Sequence, residues 1–258
     1  MKILLTGHRG YIGSHLLNRL KKNNAIVGID LQDGWDRDNL NNSQDLLTCD
    51  LNEEFDLIIH LAGKSGVRES TNDPAGYWRN NVEVSKRLFA RYPDTRILYA
   101  SSSSAYEPDL NPYAASKYVI EEAAERYVNT LGMRFHTVYD HNPRKGMFLQ
   151  KLIDGELEYV TNHYRDFIHI EDLCDAIELL IKSRYSGTVD IGSGKPYKIQ
   201  DFADHLPIRL NTPYERNWTC ANMERMKRLG FKPKYDIEKV LTNKPKDNII
   251  KLEIGETT

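Results

Sequence analysis

This chain of 258 residues predicts an α/β fold built on a doubly wound parallel sheet. Three observations carry that reading. Short apolar runs alternate with amphipathic stretches over most of the length. The first run ends in a glycine-rich turn that opens a helix. The second run ends in an acid.

Lys2-Ile3-Leu4-Leu5-Thr6 is an apolar run that stops at Gly7, as a buried parallel strand does. Gly7-His8-Arg9-Gly10-Tyr11-Ile12-Gly13 follows, then an amphipathic helix through Leu16, Leu17 and Leu20. Ala25 to Asp30 is a second strand. Strand, glycine turn, helix, strand and acid form a βαβ dinucleotide unit. The glycines permit a tight turn and close approach of backbone N–H groups to a pyrophosphate, which the positive end of the helix also favours. A carboxylate at Asp30 accepts from a ribose 2′-OH and repels a 2′-phosphate, which favours NAD over NADP. Arg9 and Arg37 pull slightly the other way.

Residues 32–44, rich in Asp and Asn, read as a loop. Leu46 to Leu51 is expected as a third strand, with Asp50 at its carboxyl end. Asp56 to Gly63 is the fourth. Ligands of such sheets sit beyond the carboxyl ends of strands, which puts Ala62, Gly63 and Lys64 beside a cofactor. His60 lies inside the apolar run and reads as a packed core histidine. A long helix over about 76–91 precedes a fifth strand, Thr95 to Ala100, which runs into Ser101-Ser102-Ser103-Ser104.

After one short loop comes Pro112-Tyr113-Ala114-Ala115-Ser116-Lys117. On a helix Tyr113 and Lys117 share a face. A phenol loses its proton near pH 10, and a nearby cation lowers that value. The pair is a candidate general base; the plain alternative is a packed Tyr beside a solvated Lys. A serine hydroxyl from the preceding strand end can meet the same carbinol. Gly132 to Tyr139 is expected as a sixth strand and Gly187 to Ile191 as a seventh, with helices at 170–182, 200–206 and 222–229. The tail after Lys244 is polar.

Composition narrows the function classes. A net charge of −2 gives no reason to expect nucleic acid. Cys49, Cys174 and Cys220 stand far apart, without a CxxC pair, so neither a disulfide framework nor a zinc site is expected. No leader and no apolar run near 20 residues is visible, which reads as a cytoplasmic protein with no membrane partner.

The ordered signatures Thr6 to Gly13, His60-Leu61-Ala62-Gly63, Tyr99 to Tyr106, Tyr113 with Lys117, and Arg165 to Asp172 together resemble an extended short-chain dehydrogenase/reductase of the nucleotide-sugar epimerase and dehydratase group. The resemblance covers Thr6 to about Leu241. It implies a Rossmann domain over 1–140, completed by 166–192, and a small C-terminal sugar-nucleotide domain from 141–165 and 193–245. The polar tail is 246–258. It also implies a tightly held NAD and a homodimer through the helices at 76–91 and 113–130. The cofactor contacts it implies are Gly7, Arg9, Gly10, Tyr11, Ile12 and Gly13 in the turn, then Asp30, Asp50 and Leu51. Leu61, Ala62, Gly63 and Lys64 follow, and then Asn81, Ala100, Tyr113 and Lys117. Tyr113 would take the proton from sugar O4 as hydride leaves C4. Lys117 would hold the nicotinamide ribose and favour the phenolate. Ser102 would bond O4, and Arg165 would grip the diphosphate of a UDP-sugar.

Within that group, Ser103 and Ser104 stand where 4,6-dehydratases carry an acidic pair and where uronate decarboxylases carry a Glu at the second position. A 4-epimerase needs neither. Thr137 and Arg144, seven apart, are similar to the pair that holds the carboxylate in UDP-glucuronate 4-epimerases, with Ser103 and Ser104 as further donors. Gly66-Val67-Arg68 resembles that class too. Ala62-Gly63 and Arg165-Asp166-Phe167-Ile168-His169 look more like the UDP-galactose class. The expected activity is therefore 4-epimerisation by transient oxidation at C4, with UDP-glucuronate and UDP-galacturonate first and UDP-glucose and UDP-galactose second. A 4-keto sugar reductase and a non-catalytic NAD-binding protein are the remaining alternatives. Three departures stand out: a short loop between Tyr106 and Tyr113, Asp140-His141 in place of Gly-Pro, and His136 where an aromatic residue often packs.

Overall fold

A computed structural model describes residues 1–31, 44–141, 143, 146–210 and 212–242. Arg37, Arg144 and the 246–258 tail lie outside the described residues. The chain opens with β1 (Lys2–Thr6), α1 (Tyr11–Leu20), β2 (Ala25–Ile29) and β3 (Leu57–His60). Then come α2 (Val67–Asn72), α3 (Pro74–Tyr77) and α4 (Val84–Arg91), the last two joined by a π-helical segment, Trp78–Glu83. β4 (Arg96–Ser102), α5 (Pro112–Ala124), β5 (Thr130–Phe135) and β6 (Thr137–Tyr139) follow. The second half holds α6 (Phe148–Asp154), β7 (Val160–Thr161), β8 (Tyr164–His169), α7 (Ile170–Lys182) and β9 (Gly187–Ile191). It ends with β10 (Pro196–Lys198), β11 (Ile208–Arg209), α8 (Glu224–Arg228) and α9 (Ile237–Thr242).

Six strands form one sheet in the order β2-β1-β3-β4-β5-β9, and every pairing in it is parallel. Because alternate side chains of a strand face opposite ways, the sheet feeds two cores. Ile3, Leu5, Ile59, Leu98 and Met133 pack under α1 and α7. Leu4, Ile58, Ile97 and Tyr99 pack under α4 and α5. Parallel strands covered on both faces must be apolar on both, which explains the unbroken runs in the sequence. A third core around Tyr139, Phe167 and Tyr197 lies under the three-stranded sheet β10-β8-β6.

Several expected elements differ. Leu46 to Leu51 is not a strand. It is a turn in which Asp45 Oδ1 accepts from Leu47 N (2.9 Å) and Asp45 O from Cys49 N (2.8 Å). Its carbonyls are taken by arginines of α4: Leu46 O and Cys49 O by Arg87, Leu51 O by Arg91. With those acceptors spent, the run has no ladder to join, and among the described residues β2 is the edge of the sheet. The expected strand over 132–139 breaks at His136. Its N–H bonds Ile191 O (3.0 Å), and the chain passes from the large sheet into the small one. The helix expected at 200–206 is a single 3₁₀ turn, Ile199–Phe202. Ala203 leaves the helical region (φ −156°, ψ 66°), and Pro207 disfavours helix at the residue before it.

Candidate active site

β4 ends where chemistry can begin. Ser101 on this strand reaches α5, where its hydroxyl bonds the Glu121 carboxylate. Ser102 Oγ accepts from Ser104 N (3.1 Å) and lies near enough to the Tyr113 phenol to lower its pKa. Tyr113 is the second residue of α5. That helix starts where it does because Asn111 Oδ1 caps it, accepting from Ala114 N (2.8 Å), and Pro112 tolerates the first position. One turn on, the buried Lys117 donates from Nζ to Ala100 O (2.8 Å), with Nζ 5.9 Å from the Tyr113 ring centre. Tyr77 packs edge-on against Tyr113.

The electrostatics differ from the sequence expectation in one respect. Burial is the larger influence on Tyr113 and pushes its phenol up, while the Ser102 hydroxyl acts the other way. Burial pushes Lys117 down to about 8, against the raising effect of Glu121. The ammonium is bonded to a backbone carbonyl rather than to the phenol, so the protein alone does not lower the Tyr113 pKa. Glu121 is itself clasped by Arg134, at 2.9 and 2.6 Å.

The glycine turn lies beside this centre. Gly7 takes φ +70° and donates to Ile29 O (2.8 Å). A side chain at Gly13 would sit 2.0 Å from Gly7 O, so the turn can meet α1 only with glycine there. Asp30 Oδ2 accepts from Arg9 N (3.0 Å), which fixes the carboxylate at the end of β2. A cleft of about 250 Å³ opens here; Gly7, Gly10, Asp30, Ala62, Gly63 and Lys64 line it. Leu61 lines it as well, together with Gln44, Asp45, Leu46 and Asn80, which the sequence reading missed. A turn of close-packed backbone ending at an acid suits a dinucleotide's pyrophosphate and ribose.

The remaining expected cofactor residues are placed as follows. Asp50 is exposed, and Leu51 is buried in the α4–α5 core. Tyr11 and Ile12 pack against the α1–α7 core. Lys64 sends its ammonium out to Asp73 (2.5 Å). Asn81 acts on the turn: Oδ1 accepts from Lys64 N (2.7 Å), and Nδ2 donates to Lys64 O (3.1 Å).

On the other side, Ser103 is buried and Ser104 half-buried in a 3₁₀ turn. Arg216 reaches across to this turn, donating to Ser103 O (2.6 Å) and to Glu107 Oε1 (2.7 Å). Thr137 starts β6, lining a small hollow with Tyr139, Met147 and Phe148. Arg165 bonds Tyr164 O (3.0 Å) and meets His163 Nδ1 (3.0 Å) and Glu215 Oε2 (3.5 Å). Arg68 pairs with the same carboxylate, with Nε 3.0 Å from Oε1. His163, whose Nδ1 lies 3.6 Å from Oε2, and then the arginine charges hold Glu215 down to about 2. Sequence reasoning missed Asn111, His163, Glu215 and Arg216. All but Asn111 come from the second half of the chain, and no periodic pattern points from them to Tyr113; only the cap type of Asn111 before Pro112 was a usable signal.

Comparisons with known proteins agree with this geometry. The uncharacterized UDP-glucose epimerase YtcB of Bacillus subtilis is 32% identical over 305 residues, covering 94% of this chain and 96% of that one. MoeE5, solved in complex with UDP-glucuronic acid and NAD, superposes with a TM-score of 0.81 at 26% identity, covering 94% and 97%. It has also been solved with UDP-glucose and NAD. The UDP-glucuronic acid 4-epimerase of Bacillus cereus, in complex with UDP-glucuronic acid and NAD, gives 0.80 at 25% identity, again over 94% and 97%. The model of the NAD dependent epimerase/dehydratase family matches residues 3–192, and on that match the chain belongs to this family, with NAD as its cofactor.

Proposed function

We propose that the chain is a UDP-sugar 4-epimerase acting by transient oxidation at sugar C4, with UDP-glucuronate and UDP-galacturonate as its pair. One observation carries the reaction class: a phenol, a serine hydroxyl and a buried lysine converge at the end of β4, beside a dinucleotide cleft. Tyr113 takes the O4 proton, and Ser102, beside that phenol, orients the carbinol. NAD, when bound, would supply the hydride acceptor for C4 and the donor for return of the hydride to the other face. Lys117, with Nζ 5.9 Å from the Tyr113 ring centre, adds a cation near the phenol and would hold the nicotinamide ribose. Neither Ser103 nor Ser104 has a side chain able to serve as the acid or base for eliminating water.

The uronate preference rests on Thr137, the serines at 103 and 104, and Arg144. A 4-keto uronate is a β-keto acid and loses CO₂ readily when its breaking bond aligns with the ketone. A fixed cation and hydroxyl that hold the carboxylate out of that alignment suppress the loss. The likeness to the Bacillus cereus UDP-glucuronic acid 4-epimerase supports this reading. The likeness to YtcB supports UDP-glucose as the second reading. Arg165 and Arg68 are the candidate grips for the diphosphate. Trp78, 44% exposed on the π segment, and Tyr118, 39% exposed on α5, support a homodimer through those helices. No described helix is long and apolar enough to cross a membrane, which is consistent with the cytoplasmic location we propose.

Incubating the purified protein separately with UDP-glucuronate and UDP-glucose, and following each by NMR, tests the function. We expect the 4-epimer of UDP-glucuronate to form faster, without added NADH. Equal or faster turnover of UDP-glucose moves the assignment to the second pair. No epimer from either sugar, together with oxidation of added NADH by a UDP-4-keto sugar, makes the protein a reductase.

A further inference from the structure

A buried chain of hydrogen bonds runs from the cofactor turn to the catalytic helix. Ala62 N donates to Thr6 Oγ1 (3.2 Å), and Thr6 Oγ1 lies 2.7 Å from His60 Nδ1. On the other side of the ring, His60 Nε2 is 3.0 Å from Ser85 Oγ. Ser85 donates to Asn81 O (2.5 Å), Asn81 Nδ2 donates to Ser116 Oγ (2.8 Å), and Ser116 donates to Tyr113 O (2.7 Å). Thr6, His60, Ser85, Asn81 and Ser116 are all 2% exposed or less.

The proton positions follow from counting. A serine hydroxyl has one proton. Ser85 gives its proton to Asn81 O, so it must accept from His60, and Nε2 carries hydrogen. Burial and the Lys117 charge keep the ring neutral, pushing its pKa down to about 3. A neutral imidazole with Nε2–H has an acceptor at Nδ1, so Thr6 donates there. Every bond then points the same way, from Ala62 at the cleft to the Tyr113 carbonyl. His60 is the one member whose donor and acceptor ends are fixed by a ring.

We propose that His60, locked as the neutral Nε2–H tautomer, is a positioning residue that ties the cofactor turn to the catalytic helix and sets Tyr113. A core histidine needed only to fill space would not require its hydroxyl partners in this order. The inference rests on the role proposed above for Tyr113, but the tautomer is testable without it.

Two measurements decide the matter. In the ¹⁵N-labelled, NAD-loaded protein, the His60 ring should show a protonated Nε2 and a bare Nδ1, unchanged between about pH 5 and 9, where an ordinary histidine titrates. A protonated Nδ1, or titration in that range, overturns the proposal. In kinetics with the UDP-sugar that the parent epimerises, His60→Leu should lower kcat roughly ten-fold or more, as misplacement of a reacting group does, while KM stays within about two-fold. His60→Gln, whose amide N–H can take the place of Nε2–H toward Ser85, should recover most of that loss. An unchanged kcat in His60→Leu, or equal losses in both variants, overturns the positioning role. If the parent turns over no UDP-sugar, the proposed function fails on its own, and the NMR result still decides the tautomer.

Discussion

At the scale of single residues, the site turns on two groups pushed in opposite directions by burial. Tyr113 is pushed up and Lys117 down to about 8. Below about pH 8 the lysine is an ammonium bonded to Ala100 O; in the role proposed for it, it favours the phenolate once NAD is bound, and that help fades above this pH. Tyr113→Phe should lower epimerisation by about 10²–10⁴-fold, the usual cost of deleting a general base, with substrate binding nearly intact. A variant within ten-fold of the parent places the base elsewhere. Lys117→Met should lower kcat and move the rising limb of its pH profile upward, because the phenol loses its cation; a profile that stays put removes Lys117 from that role. Asp30 makes a separate point. Its carboxylate is fixed by the Arg9 backbone, so Asp30→Asn should remove the repulsion of a 2′-phosphate and narrow the preference for NAD over NADP. Titrating both cofactors into stripped protein reads this directly, and an unchanged ratio excludes Asp30 as the discriminator.

At the scale of elements, the sequence is legible where burial dictates pattern and opaque where hydrogen bonds to distant side chains decide. The runs that became β1, β3 and β4 sit between two cores, so their apolar residues announce them. Leu46 to Leu51 looked the same, yet Arg87 and Arg91, some forty residues on, take its carbonyls. No local rule reveals that. The π segment is hidden for a related reason. Val84 N–H reaches back five residues to Arg79 O, a geometry without a sequence signature. It separates α3 from α4 and leaves Asn81 bonded to the cofactor turn. Tyr113 and Lys117 were legible because four residues make one helical turn. Glu215 and Arg216 were not, because irregular backbone carries them. The start of α5 gives a stability test. Asn111 caps the helix and also donates from Nδ2 to Tyr214 O (2.9 Å), so Asn111→Ala should cost about 1 kcal/mol or somewhat more in chemical denaturation. An unchanged midpoint shows that the cap is dispensable.

At the scale of the whole molecule, the two halves meet through charge. Glu215 gathers Arg68, Arg165 and His163, while Arg216 holds the turn that carries Ser103. The Glu215 carboxyl lies at about 2 against an ordinary 4.5. A depressed carboxyl stabilises the fold above its ordinary pKa, and that share is lost as pH falls from 4.5 toward 2. For this partly buried group the share is at most about 3 kcal/mol. Denaturation at about pH 6 and about pH 3 should show a steep loss in the parent and a shallower one in Glu215→Gln; parallel losses dismiss the linkage. The strand order bears on time as well. The strands that frame the cofactor cleft, β1 to β3, are all made within the first 60 residues of the chain. The sheet is closed by β9, and Arg19 on α1 waits for Asp175, 156 positions later. During synthesis the cofactor cradle therefore emerges long before the second-half segments that we propose face the substrate. Contacts across such separations form late. In pulse-labelled hydrogen exchange, amides of β1 and β3 should gain protection ahead of those of β9, so that a newborn chain meets its dinucleotide before it has anywhere to put a sugar.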